Sequence, residues 1–226
     1  MASLWNWTPT RIDARSARGI LRHDRALAHK CVKELIRADL YRYYSRTDWR
    51  MMLYALVRIP GFRYTYILRK TSFHYQVPGV FHTIAFVFYK LLLDHYGYKF
   101  GFQIPYTTKI GAGLAIYHHG LLIVNPRAIL GDNINLSPGV VIGQQNRGRR
   151  AGFPTIGDRV WIGCNAVVVG AVSIGDDALI GPGAYVNFDV PEKAVVIGNP
   201  GTIHSYAGSS VYVERIAPAS AEQFCN

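Results

Sequence analysis

Thirteen aliphatic side chains at six-residue intervals constrain this chain more than any other feature. They run Ile104, Ile110, Ile116, then, after a two-residue slip, Val124, Leu130, Leu136 and Ile142. After a longer interruption they resume at Ile156, Ile162, Val168, Ile174, Ile180 and Val186. Seven are followed by glycine: Gly111, Gly131, Gly143, Gly157, Gly163, Gly175 and Gly181. Four residues after the aliphatic one comes a small or β-branched residue, as at Val160, Ala166, Val172, Ala178, Ala184 and Val190. A six-residue period matches neither an amphipathic helix nor an alternating strand. It matches a short strand plus a turn, with three such units making one triangular coil and the coils stacking. The adjacent glycine is expected to supply the backbone angles of a tight corner. A β-sandwich, whose strands recur irregularly every 8–12 residues or so, does not fit.

Charge and composition divide the chain near residue 100. Of its 226 residues, 25 are Lys or Arg and 14 are Asp or Glu, a net charge of +11. All of that excess lies in residues 1–100, together with 19 of the 29 aromatic residues, whereas 18 of the 22 glycines come later. The expected organisation is a basic, aromatic, helical region over 1–100, a repeat domain over 101–204 and a tail over 205–226. Within the first region, 24–46 reads as a helix with Leu27, Cys31, Leu35 and Leu40 inward. A second helix over 80–95 has an apolar stripe of Phe81, Ile84, Ala85, Phe88 and Leu92. Three cysteines, Cys31, Cys164 and Cys225, argue against a disulfide scaffold and for a reducing compartment. The opening MASLWNW lacks a basic-then-apolar signal pattern, and the apolar run from Val80 to Leu93 is too short to span a bilayer. A cytoplasmic protein is expected, with the basic half either a subunit contact or resting on an anionic membrane surface. Nucleic acid is not expected, because no recognition motif is present.

The repeat resembles that of the hexapeptide-repeat acyltransferases, and within them the serine acetyltransferase type, over Ile104 to about His204. The resemblance implies an α+β fold: a helical N-terminal region followed by a left-handed parallel β-helix. It implies a homotrimer, or a multiple of three, with acetyl-CoA as co-substrate, no metal, and sites between subunits. The two interruptions of the repeat are where chemistry is expected. The first carries Tyr117, His118, His119 and Gly120. Acyl transfer to a hydroxyl needs a base, and histidine titrates near neutral pH. In the family the position of His118 is that base; the alternative is a histidine that packs under its loop. His119, on the other side of the strand, is an acceptor contact or a surface residue. Adjacent histidines face opposite ways and make a poor metal site. The family's orienting aspartate falls at Gln103, which can hydrogen-bond the imidazole but adds no charge. Asp39 resembles a family aspartate that approaches the acceptor, or is a solvated helix charge.

The second interruption, 144–155, reads QQNRGRRAGFPT. Where the family has an Asp-Arg-His triplet that reads the amino acid, this chain has Ala151, Gly152 and Phe153. Arg147, Arg149 and Arg150 either meet the phosphates of coenzyme A or are solvated. The resemblance places the pantetheine arm near Gly163, Cys164, Gly181 and Ala184, with Asn187 and Asn199 in the terminal coil. Loss of the carboxylate-reading arginine points away from serine, with Tyr117 and Phe153 offering a ring face to a sugar. The expected activity is O-acetylation of a sugar hydroxyl on a bacterial surface polysaccharide or its lipid-linked precursor. The alternatives are serine O-acetyltransferase and a non-enzymatic β-helix that binds partners.

Overall fold

A computed structural model describes residues 22–217, with side chains from Ala28 onward. The MASLWNW opening and Cys225 lie outside the described residues. Four helices come first: α1 (Arg22–Tyr44), α2 (Trp49–Arg58), α3 (Pro60–Gln76) and α4 (Val80–Phe100). Fourteen short strands follow, and they make three sheets. The first sheet stacks β1 (Phe102–Gln103), β3 (Leu122–Val124), β6 (Val141–Gly143), β9 (Val167–Val169) and β12 (Tyr185–Val186). The second stacks β2 (Lys109–Ile110), β4 (Ile129–Leu130), β7 (Thr155–Ile156) and β10 (Ser173–Ile174). The third stacks β5 (Asn135–Leu136), β8 (Trp161–Ile162), β11 (Leu179–Ile180) and β13 (Val195–Ile197), closed by β14 (Thr202–Ser205). Every pairing is parallel except the last, β13 with β14.

The register reports both interruptions. Val167 pairs with Tyr185 and Thr155 with Ser173, eighteen residues on, which is one uninterrupted coil of three hexads. Lys109 pairs with Ile129, twenty residues on, so the 117–120 corner adds two. Val141 pairs with Val167, twenty-six on, so the 144–154 loop adds eight. Twelve of the thirteen hexad residues are buried and Ile110 packs against them. The residues four further on, from Val160 to Val190, are buried as well, so each hexad sends two side chains inward.

The glycines act differently from the expectation. None of the seven hexad glycines has a positive φ. They are required for space: a Cβ on Gly111, Gly131 or Gly157 would meet the aspartate one coil on, Asp132, Asp158 or Asp176, at 2.1–2.2 Å. Those aspartates form a ladder. Asp132 Oδ1 accepts from the Ala112 N–H at 2.5 Å, Asp158 Oδ1 from Asp132 at 2.7 Å, and Asp176 Oδ1 from Asp158 at 2.9 Å. The aliphatic–Gly–Asp run therefore records a carboxylate reaching back into the preceding coil, which a side chain at the glycine would block. Positive φ is carried instead by corner residues such as Asn133, Arg159, Asn165 and Asp177.

The helices form a second core of Val32, Ile36, Leu40, Tyr43, Phe62 and Phe73. The inward face of α1 is thus Val32, Ile36, Leu40 and Tyr43, rotated from the expected Cys31 and Leu35. The rotation brings Asp39 and Arg42 inside too, both fully buried. The expected stripe of α4 is also displaced: Phe81, Ile84 and Phe88 are 57–73% exposed, and Leu93 and Phe100 are the buried residues. Cys164 is free and exposed. After β14 the chain turns back along the third sheet. Tyr212 stacks on Trp161, its carbonyl accepts from Asn135 Nδ2, and Arg215 Nη1 donates to the Tyr43 carbonyl at 3.0 Å.

Candidate active site

Three helix ends converge on the corner that carries His118 and His119. The first is the C-terminus of α1. The Tyr43 hydroxyl accepts the Ile116 N–H at 2.9 Å and donates to the Ile116 carbonyl at 3.0 Å. Arg42 Nη1 donates to the Gly113 carbonyl at 2.8 Å and Nη2 to Asn135 Oδ1 at 2.6 Å. Tyr117 completes this contact: its hydroxyl donates to the Arg42 carbonyl at 2.9 Å and its ring lies against Tyr43. The second is the N-terminus of α3. A Cβ on Gly61 would lie 1.8 Å from the Ile116 carbonyl oxygen, so only glycine permits this approach. The third is the C-terminus of α4, where Gly101 (φ 78°) caps the helix. Phe100 and Gly101 carbonyls accept from the Gly120 and Leu122 N–H groups, both at 2.9 Å.

Backbone that leaves a β-ladder needs other partners for its polar groups, and the 110–116 segment finds them on the helices. Asp39 accepts from Arg69 through both oxygens, at 3.0 and 3.1 Å, and from the Leu114 N–H at 2.8 Å. Arg69 also donates to the carbonyls of Ile110 and Gly111. Tyr64 repeats the Tyr43 contact two coil edges earlier, clasping the N–H and carbonyl of Ile104. Burial pushes the Tyr43 hydroxyl far above its ordinary value and that of Tyr64 up to about 12. Both stay protonated at neutral pH and keep donating. Burial also pushes the Arg42 guanidinium down. Asp39 is therefore neither solvated nor free to meet a ligand; its carboxylate is committed to this clamp.

From this rigid seat Tyr117, His118 and His119 are exposed. Gln103 is exposed on β1, opposite Ile123 of β3. It lines a cavity of about 550 Å³ between α4 and the first coil, walled also by Tyr64, Lys90, Asp94, Tyr106 and Leu121. Composition gave no hint of that cavity, because its lining comes from α3, α4 and the first coil together.

The 144–154 loop is a closed hairpin, with Gln145 and Gly152 exchanging backbone hydrogen bonds at 3.1 and 2.9 Å. Gly152 has φ 144°, and a Cβ there would sit 2.9 Å from that of Ala171. Phe153 lies under the Arg127 guanidinium at 5.1 Å, which joins the loop to the corner after β3. Arg150 binds Asp189 at 3.0 Å, and Ala151, Arg147 and Arg149 are near it in the hairpin. The Ser173 N–H and then Arg150 hold the Asp189 carboxyl below its ordinary range.

Of the residues expected along a pantetheine arm, Gly163, Gly181 and Ala184 are buried, and their N–H groups already donate to Ile180, Val196 and Gly181. Any bond from these three to a ligand uses the carbonyl. Cys164, Asn187 and Asn199 are exposed, and the space around Gly183 is open. Among the described residues no group of His, Cys, Asp or Glu is placed to hold a metal.

The stacked hexapeptide coils, with a histidine on an extruded corner, are similar to those of hexapeptide-repeat acyltransferases, with the left-handed β-helix expected. The family described as bacterial transferase hexapeptide (six repeats) matches residues 153–187. Within that class the chain is similar to serine acetyltransferases. The solved serine acetyltransferase of Neisseria gonorrhoeae, in complex with serine, matches with TM-score 0.63 and 29% identity over 81% of this chain and 73% of its own. A serine acetyltransferase of Helicobacter pylori is 27% identical over 157 residues, 69% of this chain and 85% of its own length. The Escherichia coli putative colanic acid biosynthesis acetyltransferase WcaB is 29% identical over 112 residues, 50% of this chain and 67% of its own.

These matches overturn the expected polysaccharide acceptor. Residues after 100 are little more than half of the chain, so matches over 69% and 81% reach back into the helices. The helical half is therefore part of what the aligned chains share. The expectation failed because it rested on Ala151, Gly152 and Phe153 in place of the family's triplet, as though a carboxylate could be met from nowhere else.

Proposed function

We propose that the chain is a serine O-acetyltransferase that uses acetyl-CoA. The observation that carries this reading is the match to the Neisseria enzyme through both halves of the chain. His118 takes the proton of the serine hydroxyl as its oxygen attacks the thioester carbonyl. Backbone N–H groups hold the tetrahedral oxyanion. Collapse breaks the C–S bond, and the proton passes from His118 to the departing thiolate, giving O-acetylserine and coenzyme A. Gln103 orients the imidazole without adding charge, and His119 and Tyr117 flank the acceptor. The exposed edge of Cys164, Asn187 and Asn199 supports the pantetheine arm, and Arg147 and Arg149, outside the Arg150–Asp189 pair, support its phosphates. The working unit is a homotrimer in the cytoplasm. Purified protein is expected to release coenzyme A thiol in proportion to L-serine, with O-acetylserine as the product by mass spectrometry. No thiol release at millimolar serine would remove this reading.

The exposed apolar side of α4, with Val80, Phe81, Ile84, Phe88 and Leu91, supports a covered face in the helical half. No helix among the described residues is long and apolar enough to cross a membrane. Attachment to a lipid surface through this face predicts flotation with anionic vesicles that weakens as salt rises. Sedimentation as a trimer that ignores such vesicles assigns the face to subunit contact instead.

A further inference from the structure

We infer that the cavity between α4 and the first coil is the pocket for the zwitterionic amino acid, read by Lys90 and Asp94. This rests on the serine reading above and adds the place and the recognising groups. The charged residues of the cavity are Lys90 and Asp94, one of each sign. They stand four residues apart on one side of α4, and the Lys90 ammonium donates to both Asp94 oxygens at 2.5–2.6 Å. Both remain partly exposed, 35% and 46%. An exposed pair at this spacing contributes little and is cheap to open. A small molecule carrying an ammonium and a carboxylate can enter between them: Asp94 accepts from its ammonium and Lys90 donates to its carboxylate. An uncharged sugar would replace neither charge, and Asp94 would repel a phosphate.

Placement agrees with chemistry. Gln103 lines the same cavity, and Leu121 forms part of its wall, 58% exposed. Leu121 is three residues from His118, so the two Cα atoms are within about 11 Å. The Gly101–Gly120 contact fixes that corner against the end of α4. A volume of about 550 Å³ exceeds an amino acid and leaves room for the acetyl end of the donor.

Steady-state kinetics with L-serine, serinamide and 3-hydroxypropionate test this, with the acetyl-CoA KM measured in parallel. Lys90→Gln is expected to raise the serine KM about tenfold or more and to flatten the preference for serine over serinamide. Asp94→Asn is expected to do the same for the preference over 3-hydroxypropionate. Lys90→Arg restores most of the lost affinity, and Leu121→Trp lowers serine kcat/KM by narrowing the pocket. Thermal melting and the acetyl-CoA KM stay close to those of the parent throughout. Unchanged serine KM and selectivity in both charge variants, with an active parent, would overturn the pocket and leave the proposed function standing. A parent that does not acetylate serine would overturn both.

Discussion

His118→Ala is expected to lower kcat for acetyl transfer by about 100-fold or more, the usual scale for a lost general base. The acetyl-CoA KM should change little, and His119→Ala should cost far less. The structure makes this a clean experiment. The corner's shape depends on main-chain contacts from Tyr43, Phe100 and Gly101 and on the close approach of Gly61, not on the imidazole. His118 is exposed, so its removal opens no cavity and leaves no buried partner unsatisfied. Loss of turnover in a variant that melts like its parent therefore reports chemistry. Equal, small losses at both histidines would mean that another group takes the proton.

The repeat was legible because its physics is local: each hexad must send an aliphatic residue inward, and a single chain displays that period thirteen times. The reason for its glycines was not legible. Space against an aspartate one coil away depends on a neighbour nineteen to twenty-seven residues distant, and a glycine looks the same whether it serves angle or space. Helix faces failed for two different reasons. On α1 the periodicity was judged with charged residues outward, yet Asp39 and Arg42 point inward because the irregular 110–116 backbone needs donors and acceptors there. On α4 the side chains are apolar nearly all round, and no pattern can then choose a buried face. The corner that carries His118 could be found as an interruption of the repeat. The cavity beside it could not, because residues 64, 90, 94, 103 and 121 share no spacing and meet only through the fold.

Asp39→Ala should be the most damaging single change outside the repeat core. The parent carboxylate answers both sides of the Arg69 guanidinium and the Leu114 N–H, with 1% of its side chain exposed and 7% of its partner's. Removing it leaves a buried cation with only the Ile110 and Gly111 carbonyls and leaves one buried N–H unanswered. Breaking one side of such a pair costs about 3–5 kcal/mol, which for a chain of this size lowers Tm on the order of 10 °C. Asp39→Asn keeps an acceptor for Leu114 and should lose less. The double variant Asp39→Ala with Arg69→Met should recover part of the loss, because no unpaired charge then remains. Activity adds a second readout: as Leu114 loosens, Ile116 and the corner behind it lose their fixed position, so kcat should fall while the acetyl-CoA KM holds. If Asp39→Ala melts with its parent, the helices are not clamped to the first coil through this pair. The position of His118 would then have to be fixed by the Tyr43 and Gly61 contacts alone.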